Sequence, residues 1–485
     1  FQEVEQMNLF KDMVCYQEEV RDPSRMAEVL NRVIEKAFRG SAPAQINVPR
    51  DYWTQVIDIE IPPIVRFEKQ GGGKDAIERA SKLLSNAKFP VILSGAGVVI
   101  GDAIDDCKKI AEKLDAPVCS GYQHNDSFPG SHPLAVGPLG YNGSKAAMEL
   151  ISKADVVLAL GTRLNPFSTL PGYGIDYWPK NASIIQVDMN PDRIGLTKKV
   201  SVGICGDAKM VSQQIFEKLP PEAGNSGRED RKNLIHKTKS AWLQTLTSLD
   251  HEDDDPGTVW NKEARERDKD RMSPRKAWRA IQAGMPEDVI ISSDIGNNCA
   301  IGNAYPTFEK GRKYLAPGLF GPCGYGFPSI LGAKIGCPSI PVIGFAGDGA
   351  FGISMNEMSS CAREEWPAIT MVIFRNYQWG AEKRNSILWF DDNFVGTELD
   401  PELSYAKLAN ACGLKGVAVK TMEETTAAIK KSCEDQKKGI TTFIEIILNQ
   451  ELGEPFRRDA MKKPVEIAGI KKEDMRPQKT VNEKR

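Results

Sequence analysis

The sequence is poor in the side chains that usually announce metal or redox chemistry. It has only four histidines, and its ten cysteines are scattered singly with no C-x-x-C pair, which excludes zinc and dithiol sites of ordinary spacing. Isolated thiols fit a reducing compartment, so a cytoplasmic setting is expected. No apolar run approaches the roughly 18–20 residues that span a bilayer, so no transmembrane helix is expected. The net charge of −2 exerts no overall pull on nucleic acid or membrane, and any anion must be bound by local basic groups. No short-period repeat is visible, which excludes a solenoid. No charged-then-apolar leader precedes Phe1, and the start reads as a cut through a longer protein.

What is present is length and alternation. At roughly 100–200 residues per domain, 485 residues suffice for two to four domains. Residues 1–55 carry one amphipathic helix, Pro23 to Arg39, with Met26, Val29, Leu30, Val33 and Ala37 on one face, and a short strand, Ala44–Val48. That is too little for a domain. Residues 56–73, with Pro62-Pro63 and Gly71-Gly72-Gly73, read as a linker. From 74 to 218 helical segments alternate with the apolar runs Pro90–Leu93, Ala116–Cys119, Val156–Leu160 and Ile184–Val187, the pattern of an α/β domain on a buried parallel sheet. Residues 219–272 are highly charged and read as a solvated linker with some helix at Ile235–Leu249. A second α/β domain, 273–450, opens with the helix start Ser273-Pro274 and carries strands at Val289–Ser292, Ile340–Phe345, Ala368–Phe374 and Thr441–Ile447. A basic tail, 451–485, closes the chain. The expected fold class is α/β: two doubly wound parallel-sheet domains plus the C-terminal remnant of a third.

One segment carries chemistry. Gly347-Asp348-Gly349-Ala350 follows a buried strand, where α/β folds place ligands. The glycines allow a tight turn and offer backbone N–H groups to an anion, and the Asp348 carboxylate suits a hard cation bridging phosphate oxygens. Ser354-Met-Asn-Glu357 has capping-box spacing for a following helix. Twenty-six residues after Gly349, the strand Ala368–Phe374 ends in Arg375-Asn376-Tyr377-Gln378. One parallel crossover has about that length, so Asp348 and Asn376 should emerge side by side.

This pattern, Gly-Asp-Gly followed about 26 residues later by Asn, resembles the thiamine-diphosphate enzymes. The resemblance implies thiamine diphosphate and magnesium as cofactors, with Asp348, the Asn376 side chain and the Gln378 carbonyl on the metal. The family often has two consecutive asparagines; here Arg375 stands in the first place. Asp294-Ile-Gly-Asn-Asn298 is similar to the family's first diphosphate loop, which makes Gly296, Asn297 and Asn298 diphosphate contacts beside Gly347, Gly349 and Ala350. Gly321-Pro-Cys-Gly-Tyr-Gly-Phe-Pro328 is similar to the segment that grips the aminopyrimidine, with Gly321 in the turn and Cys323 as a smaller wedge than relatives carry. Ala87–Val98 and Gly161–Asn165 look like the central domain, which binds a nucleotide in some members; the Gly95–Gly97 turn lacks G-x-G-x-x-G.

Further runs, among them Gly121–His132, Asn165–Gly174, Phe374–Ser386 and Glu454–Pro464, narrow the resemblance to a branch acting on sulfoacetaldehyde and phosphate. Two anions then need basic partners. Arg384 offers a forked guanidinium, with Lys383, Arg457, Arg458, Lys462 and Lys463 as further candidates, and His124 as a proton carrier. The family activates its cofactor with a glutamate in an N-terminal domain; neither Glu3 nor Glu5 sits in a strand-loop context, so that role has no residue here and weak cofactor binding by this chain is expected. The resemblance also implies a homodimer or homotetramer, and no nucleic-acid or membrane partner. An acetolactate-synthase-like carboligase and a non-catalytic subunit with the same fold stay open as alternatives.

Overall fold

The computed structural model describes residues 3–63, 68–251, 266, 268–318, 320–363, 365–389 and 393–451. The basic candidates Arg457, Arg458, Lys462 and Lys463 lie outside the described residues, as do the tail beyond Glu451 and the acidic run 252–255. The chain divides into two units, residues 1–69 and 70–485.

In the first unit, strands β1 (Tyr16–Glu19) and β2 (Ala44–Asn47) pair in parallel around the helix Met26–Gly40. The Asp22 side chain starts the preceding turn by accepting from Ser24 N–H, and the helix ends where Ser41 turns left-handed at φ 45°. Only Val29 and Val33 of the helix are buried, packing with Val20. Leu30, expected on the same face, is exposed. Strand β1 was not anticipated, because Tyr16-Gln-Glu-Glu19 has no apolar alternation.

The second unit holds two six-stranded sheets, all parallel. The first contains β3 (Pro90–Ser94), β4 (Val118–Ser120), β5 (Ala135–Pro138), β6 (Val156–Leu160), β7 (Ser183–Asp188) and β8 (Val202–Cys205), in the spatial order β5-β4-β3-β6-β7-β8. The second contains β9 (Ile290–Ser293), β10 (Tyr314–Leu315), β11 (Val342–Gly347), β12 (Thr370–Arg375), β13 (Lys415–Val419) and β14 (Thr442–Ile447), ordered β10-β9-β11-β12-β14-β13. Both orders reverse direction beside their first strand, which is doubly wound topology. Every residue of β3, β6 and β12 is buried, as expected when helices cover both faces of a parallel sheet. The strands that sequence reading did not find, β5, β8, β10 and β13, all lie at or beside sheet edges, and the burial of β8 and β13 is only partial.

The helix expected at Ile235–Leu249 is present and longer, and among the described residues of 219–272 it packs into the core rather than standing in solvent. Residues Arg228–His251 form a helix whose Trp242 and Leu246 enter the core of the second sheet beside Trp278 and Ile281. Near its start, the buried Arg231 donates to the carbonyls of Lys88, Leu114, Asp115, Gly224 and Ser226 at 2.6–3.0 Å, closing the C-terminal end of the helix Ile104–Leu114. The helix start expected at Ser354 is also displaced. The helix begins at Asp348 itself, and Ser354 makes no capping hydrogen bond.

Candidate functional site

Strands β9, β11 and β12 are adjacent and parallel, and the direction of winding changes between β9 and β11. Their C-terminal ends deliver three loops to one edge: Asp294–Asn298 after β9, Gly347–Ala350 after β11, and Asn376–Gln378 after β12. Ser293 is paired with Phe345 and Gly347 with Phe374. Asp348 and Asn376 therefore emerge side by side, as their spacing in sequence implies.

Asp348 is 1% exposed. Its Oδ2 accepts from Tyr377 N–H at 2.6 Å and from Arg375 Nη1 at 3.0 Å, while among the described residues Oδ1 accepts the N–H of the next residue, Gly349, at 3.0 Å. Burial pushes its carboxyl up to about 6 against the pull of Arg375 and these two N–H groups. A buried carboxylate in that state gains strongly from a cation. Asn376 is buried, and its Oδ1 has no hydrogen-bond partner among the described residues. Gln378 lies in an isolated bridge with Glu398, whose bonds run from Trp379 N–H to Thr397 O and from Leu399 N–H to Tyr377 O. That pairing does not use the Gln378 carbonyl.

The first loop starts with a staple that the sequence reading did not pick out. Asp294 accepts from Ile295 and Gly324 N–H on Oδ1, at 2.7 and 3.1 Å, and from Gly326 N–H on Oδ2 at 2.7 Å. It thus ties the Gly321–Phe327 segment to the loop after β9. An acid at a strand end before Ile-Gly was a visible signal. Gly296 follows at φ 127°, a conformation reserved for glycine. Asn297 and Asn298 are buried, with Asn297 Nδ2 and Asn298 Oδ1 unpartnered among the described residues. A Cβ at Gly296 or Gly347 would meet nothing within 4 Å, whereas one at Gly349 would lie 2.8 Å from the Trp379 ring. Open space over two loops, orphaned amide atoms and one carboxylate with a lightly used oxygen form a donor set that fits a metal diphosphate.

The remaining candidates fall at different distances from this edge. Gly321 turns at φ 62°, and Ala350 is buried in the first turn after Asp348. Cys323 is exposed rather than packed, and burial of its surroundings with the charges of Asp294 and Glu382 raises its thiol. His124 lies in the Gly121–Ser127 loop of the first sheet. That loop docks on the turn after Asn297–Ile301: Gln123 N–H donates to Asn303 Oδ1 at 3.1 Å, and Asn125 Nδ2 donates to the Asn303 and Pro306 carbonyls at 2.9 and 2.8 Å. Burial, helped by Arg163, pushes His124 down to about 4, so its imidazole is neutral at pH 7. Arg384, in the helix Gly380–Trp389, is buried and donates through Nη1 to the Tyr141 hydroxyl, which lies 3.4 Å from Asn297 Oδ1. It belongs to the junction of the two sheets, not to a solvated face. Lys383 is fully buried and is engaged by Glu398 and by Gln450 Oε1, a structural use that argues against anion binding.

Comparison with known proteins gives two family matches and several relatives. The family "Thiamine pyrophosphate enzyme, central domain" matches residues 77–215, and "Thiamine pyrophosphate enzyme, C-terminal TPP binding domain" matches residues 294–446. The chain is 76% identical over 479 residues to a probable sulfoacetaldehyde acetyltransferase of Rhizobium meliloti, covering 99% of this chain and 81% of that one. It is 72% identical to the sulfoacetaldehyde acetyltransferase of Roseovarius nubinhibens, covering 99% and 79%. It is 28% identical to a probable acetolactate synthase large subunit of Methanococcus aeolicus, covering 89% and 72%.

Proposed function

The chain belongs to the thiamine pyrophosphate enzymes, and we infer that it is an acyltransferase that converts sulfoacetaldehyde and phosphate to acetyl phosphate and sulfite. The observation that carries this reading is the set of three loops at the switch point of the second sheet, taken with relatives of that activity at 67–76% identity. Thiamine diphosphate supplies a nucleophilic carbon and an electron sink for the two-carbon unit. The electrons balance inside the substrate: the aldehyde carbon rises to the acyl level while the methylene loses sulfite and gains a proton.

This chain's residues would serve that chemistry as follows. Asp348, Asn376 Oδ1 and the Gln378 carbonyl hold magnesium, the one anionic ligand offsetting the diphosphate charge. Gly296, Asn297, Asn298, Gly347, Gly349 and Ala350 surround the diphosphate with amide groups. Gly321 and Cys323 line the ring of the cofactor, and an exposed cysteine leaves more room there than a bulky side chain would. Arg384 reaches the diphosphate loop through Tyr141, whose hydroxyl stands between the guanidinium and Asn297, and its fork would meet the sulfonate or the phosphate. His124, neutral at pH 7 and held down to about 4, would carry a proton only transiently. Assembly as a homodimer or homotetramer completes the reading.

The test is a mass-spectrometric product assay with magnesium and thiamine diphosphate. Acetyl phosphate and sulfite should form from sulfoacetaldehyde only when phosphate is present. Carbon dioxide and a carboligated product from pyruvate, with no sulfite from sulfoacetaldehyde, would replace this reading with that of a carboligase.

A further inference from the structure

Arg375 stands directly before Asn376 and is completely buried. A guanidinium has five donors and always carries its charge. Here Nη1 donates to Asp348 Oδ2 at 3.0 Å, and Nη2 donates to the Leu403 carbonyl at 3.0 Å and to the Asp400 carbonyl. Nε faces Glu445 Oε1 at 3.7 Å. Glu445, on β14, accepts through its other oxygen from Ser404 Oγ at 2.6 Å and Ala406 N–H at 3.0 Å. The Tyr405 hydroxyl donates to the Asp348 carbonyl at 2.9 Å. One cation thus holds two buried carboxylates and ties segment 400–406 to the loop after β11.

Two dry carboxylates without a counter-ion would repel each other and face the full desolvation penalty. A metal ion relieves this when bound, so the question is what does so at other times. We infer that Arg375 is a built-in counter-cation that keeps the Asp348 loop and segment 400–406 assembled while no metal is bound. It occupies Oδ2 and leaves Oδ1, which among the described residues accepts the N–H of the adjacent Gly349. Arg375 is therefore a positioning residue, and the inference rests on the reading of Asp348 as a metal ligand.

Hydrogen-exchange mass spectrometry on the wild-type chain tests it, with magnesium and thiamine diphosphate and again after chelation. Peptides covering 347–351 and 400–406 should keep their protection on chelation, changing less than about twofold in exchange rate. Loss of protection in both peptides overturns the inference. In a second arm, R375Q/E445Q removes the guanidinium and the Glu445 carboxylate and leaves Asp348 without its counter-cation. Its protection at 400–406 should collapse on chelation and return with magnesium and cofactor; equal protection in both states also overturns the inference. If R375Q/E445Q does not fold, the wild-type arm decides. Manganese binding followed by electron paramagnetic resonance separates the two levels. Wild type that binds no manganese with thiamine diphosphate removes the metal-site reading itself, whereas bound manganese with a loop that opens on chelation removes only the role of Arg375.

Discussion

At the scale of single residues, the site is a problem of buried charge and its partners. His124 shows how burial, with the Arg163 cation beside it, acts on a titrating group. Its folded value of about 4 lies below the ordinary 6.5, so between those values the unfolded chain binds more protons than the folded one. Native stability should therefore fall as pH drops from about 6.5 to about 4, by about 1–3 kcal/mol. Urea midpoints at pH 7 and pH 5 check this. His124→Asn should flatten the slope, and an unchanged slope would assign the acid sensitivity to other groups. Arg384 is the second residue-scale prediction. A desolvated pair with a sulfonate or phosphate contributes on the order of 1.5–3 kcal/mol, so Arg384→Ala should raise the KM of one substrate about ten- to more than a hundredfold. Arg384→Lys should recover only part, since the fork is lost. Varying sulfoacetaldehyde and phosphate separately shows which anion depends on it, and unchanged values for both would leave Arg384 as a junction residue alone.

At the scale of elements, the legible strands were those buried on both faces, such as Val156–Leu160 and Thr370–Arg375. Their continuous apolar runs are what burial on both faces of a parallel sheet requires. Edge strands were lost because partial burial mixes their pattern, as in Lys415-Gly-Val-Ala-Val419. The helix Arg228–His251 was read only in part, at Ile235–Leu249, and its packing was missed because its polar surface dominates and its value lies in long-range partners. No local signal tells that Arg231 will reach carbonyls more than a hundred residues away. Replacing it with alanine should strand those carbonyls and lower stability by on the order of 3 kcal/mol, measurable as a fall in melting temperature. A change within about 0.5 kcal/mol would return this helix to the status of a surface element.

At the scale of the whole molecule, sequence spacing was enough to bring Asp348 and Asn376 together, because a parallel crossover has a narrow range of lengths. It could not reveal Arg375, Glu445 and Tyr405 closing around them, since those contacts depend on β14 lying next to β12. Nor could it show Tyr141 of the first sheet's loops reaching Arg384 and Asn297. What the molecule does as a unit rests on the metal-diphosphate site at the switch point, and titration calorimetry of thiamine diphosphate in the presence of magnesium addresses it most directly. Changes around a metal's ligands cost about 10–100-fold in affinity. Asp348→Ala, which removes the anionic ligand itself, should therefore weaken binding by more than about a hundredfold, while Asn376→Ala, whose neutral ligand water can replace, should lose less. Wild-type affinity in Asp348→Ala, or a greater loss in Asn376→Ala than in Asp348→Ala, would contradict the account.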